Sequence, residues 1–173
     1  MITSLPNLLT LSRILVIPVL VALFFVPGNG AKWGVLALFT LAGITDYFDG
    51  YFARTRRQIS ALGRFLDPVA DKLLVASVIL LLVAVGRIAG WSVLPALVIL
   101  CREILVSGLR EFLAELRVPV PVSRLAKWKT GIQMVAIGFL IVGDAAPPIF
   151  QAIVIGTTGL WVAAVLTLVT GYD

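Results

Sequence analysis

Residues 33–53 read WGVLALFTLAGITDYFDGYFA, an apolar run about as long as a helix must be to cross the hydrocarbon core of a bilayer. Two carboxylates, those of Asp46 and Asp49, lie near one end of this run. A charged side chain at the centre of a membrane helix costs about 2.5 to 3.5 kcal/mol, so such residues usually mark a site or a pathway. The run therefore predicts a transmembrane helix that carries a functional site.

Five further apolar runs flank this one, and breaker residues such as Pro27-Gly28-Asn29-Gly30 separate them. The chain is therefore predicted to be an all-α integral membrane protein with six transmembrane helices in a single domain, residues 1–173. Its start, MITSLPNLLTLSR, lacks the pattern of a removable signal peptide and is expected to form an N-terminal interfacial helix. The predicted spans, of which the fifth is short, are residues 5–26, 33–53, 63–85, 91–113, 130–142 and 148–172.

The composition narrows the chemistry that the chain can perform. Of the 173 residues, 60% are hydrophobic and 13% are charged, which excludes an ordinary soluble domain. Histidine is absent and Cys101 is the only cysteine, so disulfides, Cys/His zinc sites and imidazole catalysis are excluded. Cys101 itself is expected to be a small buried apolar residue. No nucleic-acid partner is expected, and any catalysis must use carboxylates, hydroxyls, Lys, Arg or bound ions.

The basic residues are distributed asymmetrically between the two sides of the predicted membrane domain. Most of the 14 Lys and Arg lie at the N-terminal side and in the loops after the second and fourth spans. The opposite side carries only Lys32 and Arg87. Because cytoplasmic loops carry the excess of positive charge, both termini are predicted to lie in the cytoplasm, with six crossings between them.

The acidic residues of the second and third spans share helix faces. At about 100° per residue, Asp46, Asp49 and Gly50 fall on one side of their helix, and Asp67 and Asp71 fall within about 40° of each other on the next. Two divalent cations would neutralise these four carboxylates, and all-oxygen ligands suit Mg²⁺ or Mn²⁺. The spacing alone equally allows ion pairs with Arg54, Arg64 and Lys72, in a structural network or in the pathway of an ion or proton transporter.

The same residues form a longer pattern, D-x2-D-G-x2-A-R-x8-G-x3-D-x3-D, from Asp46 to Asp71. This pattern resembles the signature of the CDP-alcohol phosphotransferase family at all eight of its fixed positions. The resemblance implies six transmembrane helices, commonly a homodimer, and a cluster of divalent metal ions at the cytoplasmic interface of the bacterial inner membrane.

Other segments are similar to the bacterial branch of this family that makes phosphatidylglycerophosphate, namely LPNLLTLSRILVIP, FLDPVADKLLVA, REILVSGLREFLAEL and KWKTGIQM. The similarity implies that CDP-diacylglycerol and sn-glycerol 3-phosphate react to give phosphatidylglycerophosphate and CMP. Within the family, inositol phosphate, serine or another alcohol is the alternative acceptor.

The resemblance also assigns roles to individual residues. It makes Asp46, Asp49 and Asp67 metal ligands, and Asp71 the proton acceptor as well as a possible metal contact. Positions that contact the CDP-lipid are matched by Gly50, Arg54 and Ser60. The opening segment implies nucleotide or headgroup contact by Asn7 and Thr10, although helix capping by Asn7 and interfacial anchoring by Arg13 explain that segment nearly as well.

The phosphate of the acceptor needs cations of its own, and the fourth span supplies Arg102 and Arg110. Helical geometry places Arg110 on one polar stripe with Glu103. The alternative to phosphate binding is therefore that Arg110 and Glu103 form an ion pair and neutralise each other. Lys127 and Lys129 follow on the next helix, about 200° apart, so only one of them can face the same pocket. The expected order of importance for binding the phosphate is Arg110, then Arg102 and Lys129, then Lys127.

Overall fold

Six α-helices account for most of the chain in the computed structural model, which describes residues 5–56, 61–116 and 124–170. Side chains are described for residues 11–45, 69–70, 72–114, 116 and 125–170. The helices are α1 (Leu5–Phe24), α2 (Asn29–Arg56), α3 (Ala61–Ala84), α4 (Val93–Glu115), α5 (Arg124–Val142) and α6 (Ala152–Val169). No strand occurs in these ranges, which confirms the predicted all-α class.

The chain divides into two compact units, Met1–Leu81 and Leu82–Asp173. In the first unit, α1 and α2 pack against each other. Val35, Phe39 and Ala42 recur at helical spacing on α2 and are all buried. Gly34 lies where α2 approaches α1, because a Cβ added there would come within 3.1 Å of the Leu23 side chain.

The second unit is organised around α6, which packs against both α4 and α5. The contact with α5 is close because α6 presents glycine there. A Cβ added to Gly156 would lie 2.7 Å from Cγ of Leu140 and 3.0 Å from the carbonyl oxygen of Ala136. Leu160, Ala163 and Ala164 continue the buried face of α6.

An ion pair joins two turns of the second unit, the turn after α3 and the turn after α5. Arg87, which follows α3, contacts the carboxylate of Asp144, which follows α5. Gly143 precedes Asp144 with a φ of +50°, a left-handed conformation that favours glycine. A Cβ at Gly143 would also displace the Arg87 guanidinium, the flexible end of that side chain, so the backbone conformation is the main reason for glycine at this turn.

Among the described residues, three helical segments are long and apolar enough to cross a membrane, Gly90–Ala114, Leu125–Ala145 and Pro148–Val169. Two shorter apolar stretches, Leu11–Phe24 and Lys72–Ala84, also occur in the described part of the chain. The predicted membrane character is therefore supported, and the finer prediction of six crossings stays a prediction.

One predicted boundary was wrong. The fifth span, predicted as residues 130–142, belongs to a helix that begins at Arg124. Lys127 and Lys129 do not interrupt this helix, because lysine is a good helix former whose apolar stem tolerates a mixed environment. Residues 5–24 form one continuous helix, α1, and an interfacial position for its start stays a prediction.

The predicted burial of Cys101 was also wrong, since the side chain is exposed on α4. Neighbouring positions of α4 explain the error, because Ile99 is buried whereas Ile104 and Leu105 are exposed. In a candidate membrane span, exposed apolar residues need no protein partner, so hydrophobicity does not distinguish the two faces of the helix.

Candidate functional site

The aspartate motif falls on two consecutive helices. Its first half, Asp46 to Arg54, lies in the last three turns or so of α2, and its second half, Gly63 to Asp71, lies in the first three turns or so of α3. Because both stretches are continuous helix, residues separated by three or four positions share a face. Asp46 with Asp49 and Asp67 with Asp71 therefore form two pairs, each on one face of its own helix.

Several of the predicted site residues lie outside what the structure describes. Ser60 falls between α2 and α3 in residues 57–60, which are not described. The backbones of the other residues lie in α1, α2 and α3, and their side chains are outside the described set: Asn7, Thr10, Asp46, Asp49, Gly50, Arg54, Asp67 and Asp71. Their roles, including any shared metal site, stay predictions.

The aspartates of this motif fit a hard divalent cation. All four of them offer carboxylate oxygens, and the chain contains no histidine that would favour zinc. The side chains outside this motif that the structure does describe include no group of three potential ligands.

A second polar site is visible where α4, α5 and α6 meet. Lys129 of α5 contacts the carboxylate of Glu103 on α4, and the lysine side chain is only 4% exposed. The neighbouring Arg102 donates from Nη2 to the carbonyl oxygen of Thr170 at 2.9 Å and to the Thr170 hydroxyl at 3.2 Å. We call this the polar cluster; its members are Arg102, Glu103, Lys129, Gln133, Thr167 and Thr170.

The polar cluster includes three residues that were not predicted from the sequence, Gln133, Thr167 and Thr170. Gln133 lies one turn beyond Lys129 on the same face of α5 and is 3% exposed, and Thr167 on α6 is 0% exposed. Oε1 of Gln133 and Oγ1 of Thr167 have no hydrogen-bond partner among the described residues. A buried polar atom without a partner costs free energy, so such atoms call for a functional explanation. The signal available in the sequence was that Gln133, a polar residue, lies one helical turn after Lys129.

Arg102 has a structural function in this cluster. The last carbonyl groups of a helix lack partners within the helix, and a guanidinium near them satisfies these acceptors. The Thr170 hydroxyl in turn donates to the carbonyl of Leu166 at 2.8 Å, so the end of α6 is fixed to α4 through one arginine. Nε of Arg102 is buried and has no partner within the described ranges, which leaves one donor for further use.

The four predicted phosphate-binding cations do not form one group. Arg102 and Lys129 belong to the polar cluster, whereas Arg110 is exposed and lies about 12 Å further along α4 from Arg102. Lys129 is buried and Lys127 is exposed, as the predicted separation of about 200° requires. Glu103, predicted as a possible partner of Arg110, contacts Lys129.

Arg13 of α1 is buried, at 1% exposure, in the first unit. The sequence also allowed Arg13 to anchor the helix at a water-exposed interface, but such an anchor would be exposed, whereas Arg13 is buried. A guanidinium is rarely buried unless it is paired, and Arg13 does make polar contact with other residues.

The sequence matches known proteins along almost its whole length. The CDP-alcohol phosphatidyltransferase family matches residues 3–169, so the chain belongs to this family. The predicted resemblance is thereby confirmed, and the transferase interpretation of the aspartates is favoured over a transporter.

Similar proteins in bacteria carry one common name, CDP-diacylglycerol–glycerol-3-phosphate 3-phosphatidyltransferase. The protein of Rickettsia typhi is 48% identical over 170 residues, which cover 98% of this chain and 94% of that protein. The protein of Cereibacter sphaeroides is 37% identical over 205 residues, covering 98% and 93% respectively. That of Pseudomonas fluorescens is 44% identical over 170 residues, covering 95% and 85%.

Proposed function

We propose that the chain transfers the phosphatidyl group of CDP-diacylglycerol to sn-glycerol 3-phosphate, forming phosphatidylglycerophosphate and releasing CMP. The observation that carries this proposal is the 48% identity, over 98% of the chain, to a relative named for this reaction.

Direct displacement at phosphorus suits the residues that the chain contains. The hydroxyl of glycerol phosphate attacks the β-phosphorus, and CMP leaves with the α-phosphate. The proposed proton acceptor is Asp71, one turn from Asp67 on α3. No covalent intermediate on the protein is needed, because the attacking group belongs to the second substrate.

Divalent metal ions are proposed to be held by Asp46, Asp49, Asp67 and Asp71, with Mg²⁺ or Mn²⁺ preferred by the oxygen donors. Bound there, two such ions would neutralise pyrophosphate charge and polarise the phosphoryl oxygens. Arg54 adds a guanidinium near the end of α2 that is suited to bidentate contact with phosphate. Gly50 and Ser60, with Asn7 and Thr10, are proposed to contact the rest of the CDP-lipid.

The phosphate of the acceptor is proposed to bind next to the polar cluster. Arg110 is the best candidate for this contact, because its side chain is exposed. Arg102 and Lys129 already contact Thr170 and Glu103, so their proposed contribution is to orient the pocket and add positive potential. Oε1 of Gln133 has no hydrogen-bond partner among the described residues and is suited to accept a hydrogen bond from a hydroxyl of the polyol.

The membrane arrangement is proposed to have six crossings in the bacterial inner membrane, with the site facing the cytoplasm. Lys129 of the polar cluster lies near the start of α5, on the same helix as the basic residues Arg124 and Lys127, which supports a cytoplasmic position for that end of α5. Arg87 and Asp144 join the turns at the opposite end. A homodimer is proposed from the family resemblance alone.

The reaction can be tested with purified protein, CDP-diacylglycerol and Mg²⁺, by measuring CMP released with each acceptor in turn. We expect rapid release with sn-glycerol 3-phosphate and little with inositol phosphate or serine. Release with inositol phosphate or serine alone would overturn the choice of acceptor. Absence of release with every acceptor, from protein that remains folded, would overturn the enzymatic proposal.

A further inference from the structure

A groove of about 560 Å³ lies along the exposed side of α5 and α6. Its lining is almost wholly apolar and includes Trp128, Gly131, Val135, Ile155 and Gly159. Lys127 is the only charged residue among the described residues that line it. The proposed transfer reaction leaves this groove without a function, because Lys127 is on the opposite side of α5 from the buried Lys129.

The groove exists because glycine occupies positions where a side chain would fill it. A Cβ added to Gly131 would have no neighbouring atom within 4 Å, so the space beside this residue is open. Gly159 has a different function, since a Cβ there would lie 2.9 Å from that of Ala136 and would push α6 away from α5. Gly131 can therefore be substituted to fill the groove, whereas Gly159 cannot be changed without disturbing the helix packing.

The groove extends from the predicted membrane interface into the apolar region. Both helices belong to candidate membrane spans, and Lys127 and Trp128 lie near the start of the span Leu125–Ala145. Trp128 is 71% exposed, as expected for a tryptophan at the level of the lipid headgroups. A ligand that fits would carry one negative charge at the interface and a long apolar chain below it.

We propose that this groove binds one acyl chain of an anionic bilayer phospholipid whose phosphate pairs with Lys127. None of the residues proposed above for the transfer reaction lines this groove, and the proposal does not depend on that reaction. The lipid would be a resident ligand that covers the exposed side of α5 and α6.

The charges at the groove favour a lipid over a second copy of the chain. In a two-fold symmetric dimer the same patch supplies both sides of the interface. The described lining contains no acidic residue, so a second copy placed on this groove would bring no carboxylate to Lys127. A phospholipid supplies the missing negative charge. It also needs only one cation, whereas the nucleotide of CDP-diacylglycerol would find only two hydrogen-bonding side chains in the described lining, the ammonium of Lys127 and the indole N–H of Trp128.

The test is native mass spectrometry of the full chain in detergent, titrated with phosphatidylglycerol or with phosphatidylcholine of the same acyl chains. We expect the unmodified protein to bind one phosphatidylglycerol about fivefold more tightly than phosphatidylcholine, the size expected for one lysine near an anionic phosphate. Lys127→Gln should remove this preference, and Gly131→Leu should weaken binding of both lipids. Lys32→Gln and Gly30→Leu are matched controls outside the groove and should behave like the unmodified protein.

Three results would overturn the proposal. The first is an unchanged preference in Lys127→Gln, which also serves as the test should Gly131→Leu fail to fold. The second is displacement of the phosphatidylglycerol by CDP-diacylglycerol, because the groove would then belong to the substrate site. The third is a change from dimer to monomer in Gly131→Leu with lipid binding unaltered, because a second copy would then be the occupant.

Discussion

Lys129 of α5 and Glu103 of α4 form an ion pair in which the lysine side chain is 4% exposed and the glutamate side chain 20% exposed. Removing one partner of a buried pair leaves the other charge without compensation. The pair also fixes the distance between two helices that otherwise make their main contacts with α6. It therefore links the stability of the second unit to the geometry of the proposed acceptor site.

The first prediction concerns the stability of this pair. Lys129→Met and Glu103→Leu should each lower the free energy of unfolding by about 3 to 5 kcal/mol, and the double variant should lose less than either single one. Thermal unfolding in detergent measures this. Asp144→Asn is the control, since Asp144 is largely exposed and its pair with Arg87 should contribute about 1 kcal/mol or less. Additive losses in the double variant would show that the two charges do not depend on each other.

The second prediction concerns the close contact of α5 and α6. Gly156→Leu should destabilise the protein by roughly 1 to 3 kcal/mol, because its Cβ would already lie 2.7 Å from Cγ of Leu140. Gly131→Ala on α5 is the control, because it has open space and should be neutral or slightly stabilising. Equal unfolding temperatures for Gly156→Leu and the unmodified protein would mean that the helices are not packed this closely.

The third prediction concerns acceptor binding. Arg110→Ala should raise the KM for glycerol 3-phosphate about tenfold or more, the effect of losing a charged hydrogen bond, and should change the KM for CDP-diacylglycerol little. Steady-state kinetics with each substrate varied in turn distinguishes the two. Lys32→Ala removes one positive charge at a residue with no proposed part in substrate binding and should change neither constant. Equal increases in both constants after Arg110→Ala would remove Arg110 from the acceptor pocket.

The fourth prediction separates binding from chemistry. Asp71→Asn should lower kcat by about 10² to 10⁴, the usual contribution of a general base, and should leave binding of CDP-diacylglycerol largely intact. Asp46→Ala should instead abolish the metal-dependent part of that binding. Equilibrium binding and single-turnover CMP release measure the two effects. Turnover of Asp71→Asn near that of the unmodified protein would show that another group accepts the proton.

Much of the helical arrangement was predictable because apolar runs and breakers act locally. The turn with Pro27 and Gly28 separates α1 from α2, and the aspartate motif falls on the ends of two helices as its spacing indicated. The start of α5 was not predictable from hydrophobicity, because Lys127 and Lys129 lower the local average without interrupting the helix.

The polar cluster shows the limit of inference from one helix at a time. Helical angles correctly placed Lys127 and Lys129 on opposite sides of α5. They could not give Glu103 as the partner of Lys129, or Thr170 as the partner of Arg102, because both contacts join different helices. Gln133 was missed for the same reason, since its burial depends on how α5 packs in the second unit.

The most direct test of the proposed metal site is a Mn²⁺ titration of the purified full chain followed by electron paramagnetic resonance. We expect two bound Mn²⁺ ions per chain with mutual spin coupling, as for ions about 4 Å apart in a shared site. Both ions should be lost in the variant with Asp46, Asp49, Asp67 and Asp71 replaced by Asn. Equal Mn²⁺ binding by that variant and the unmodified protein would contradict a metal site at these aspartates.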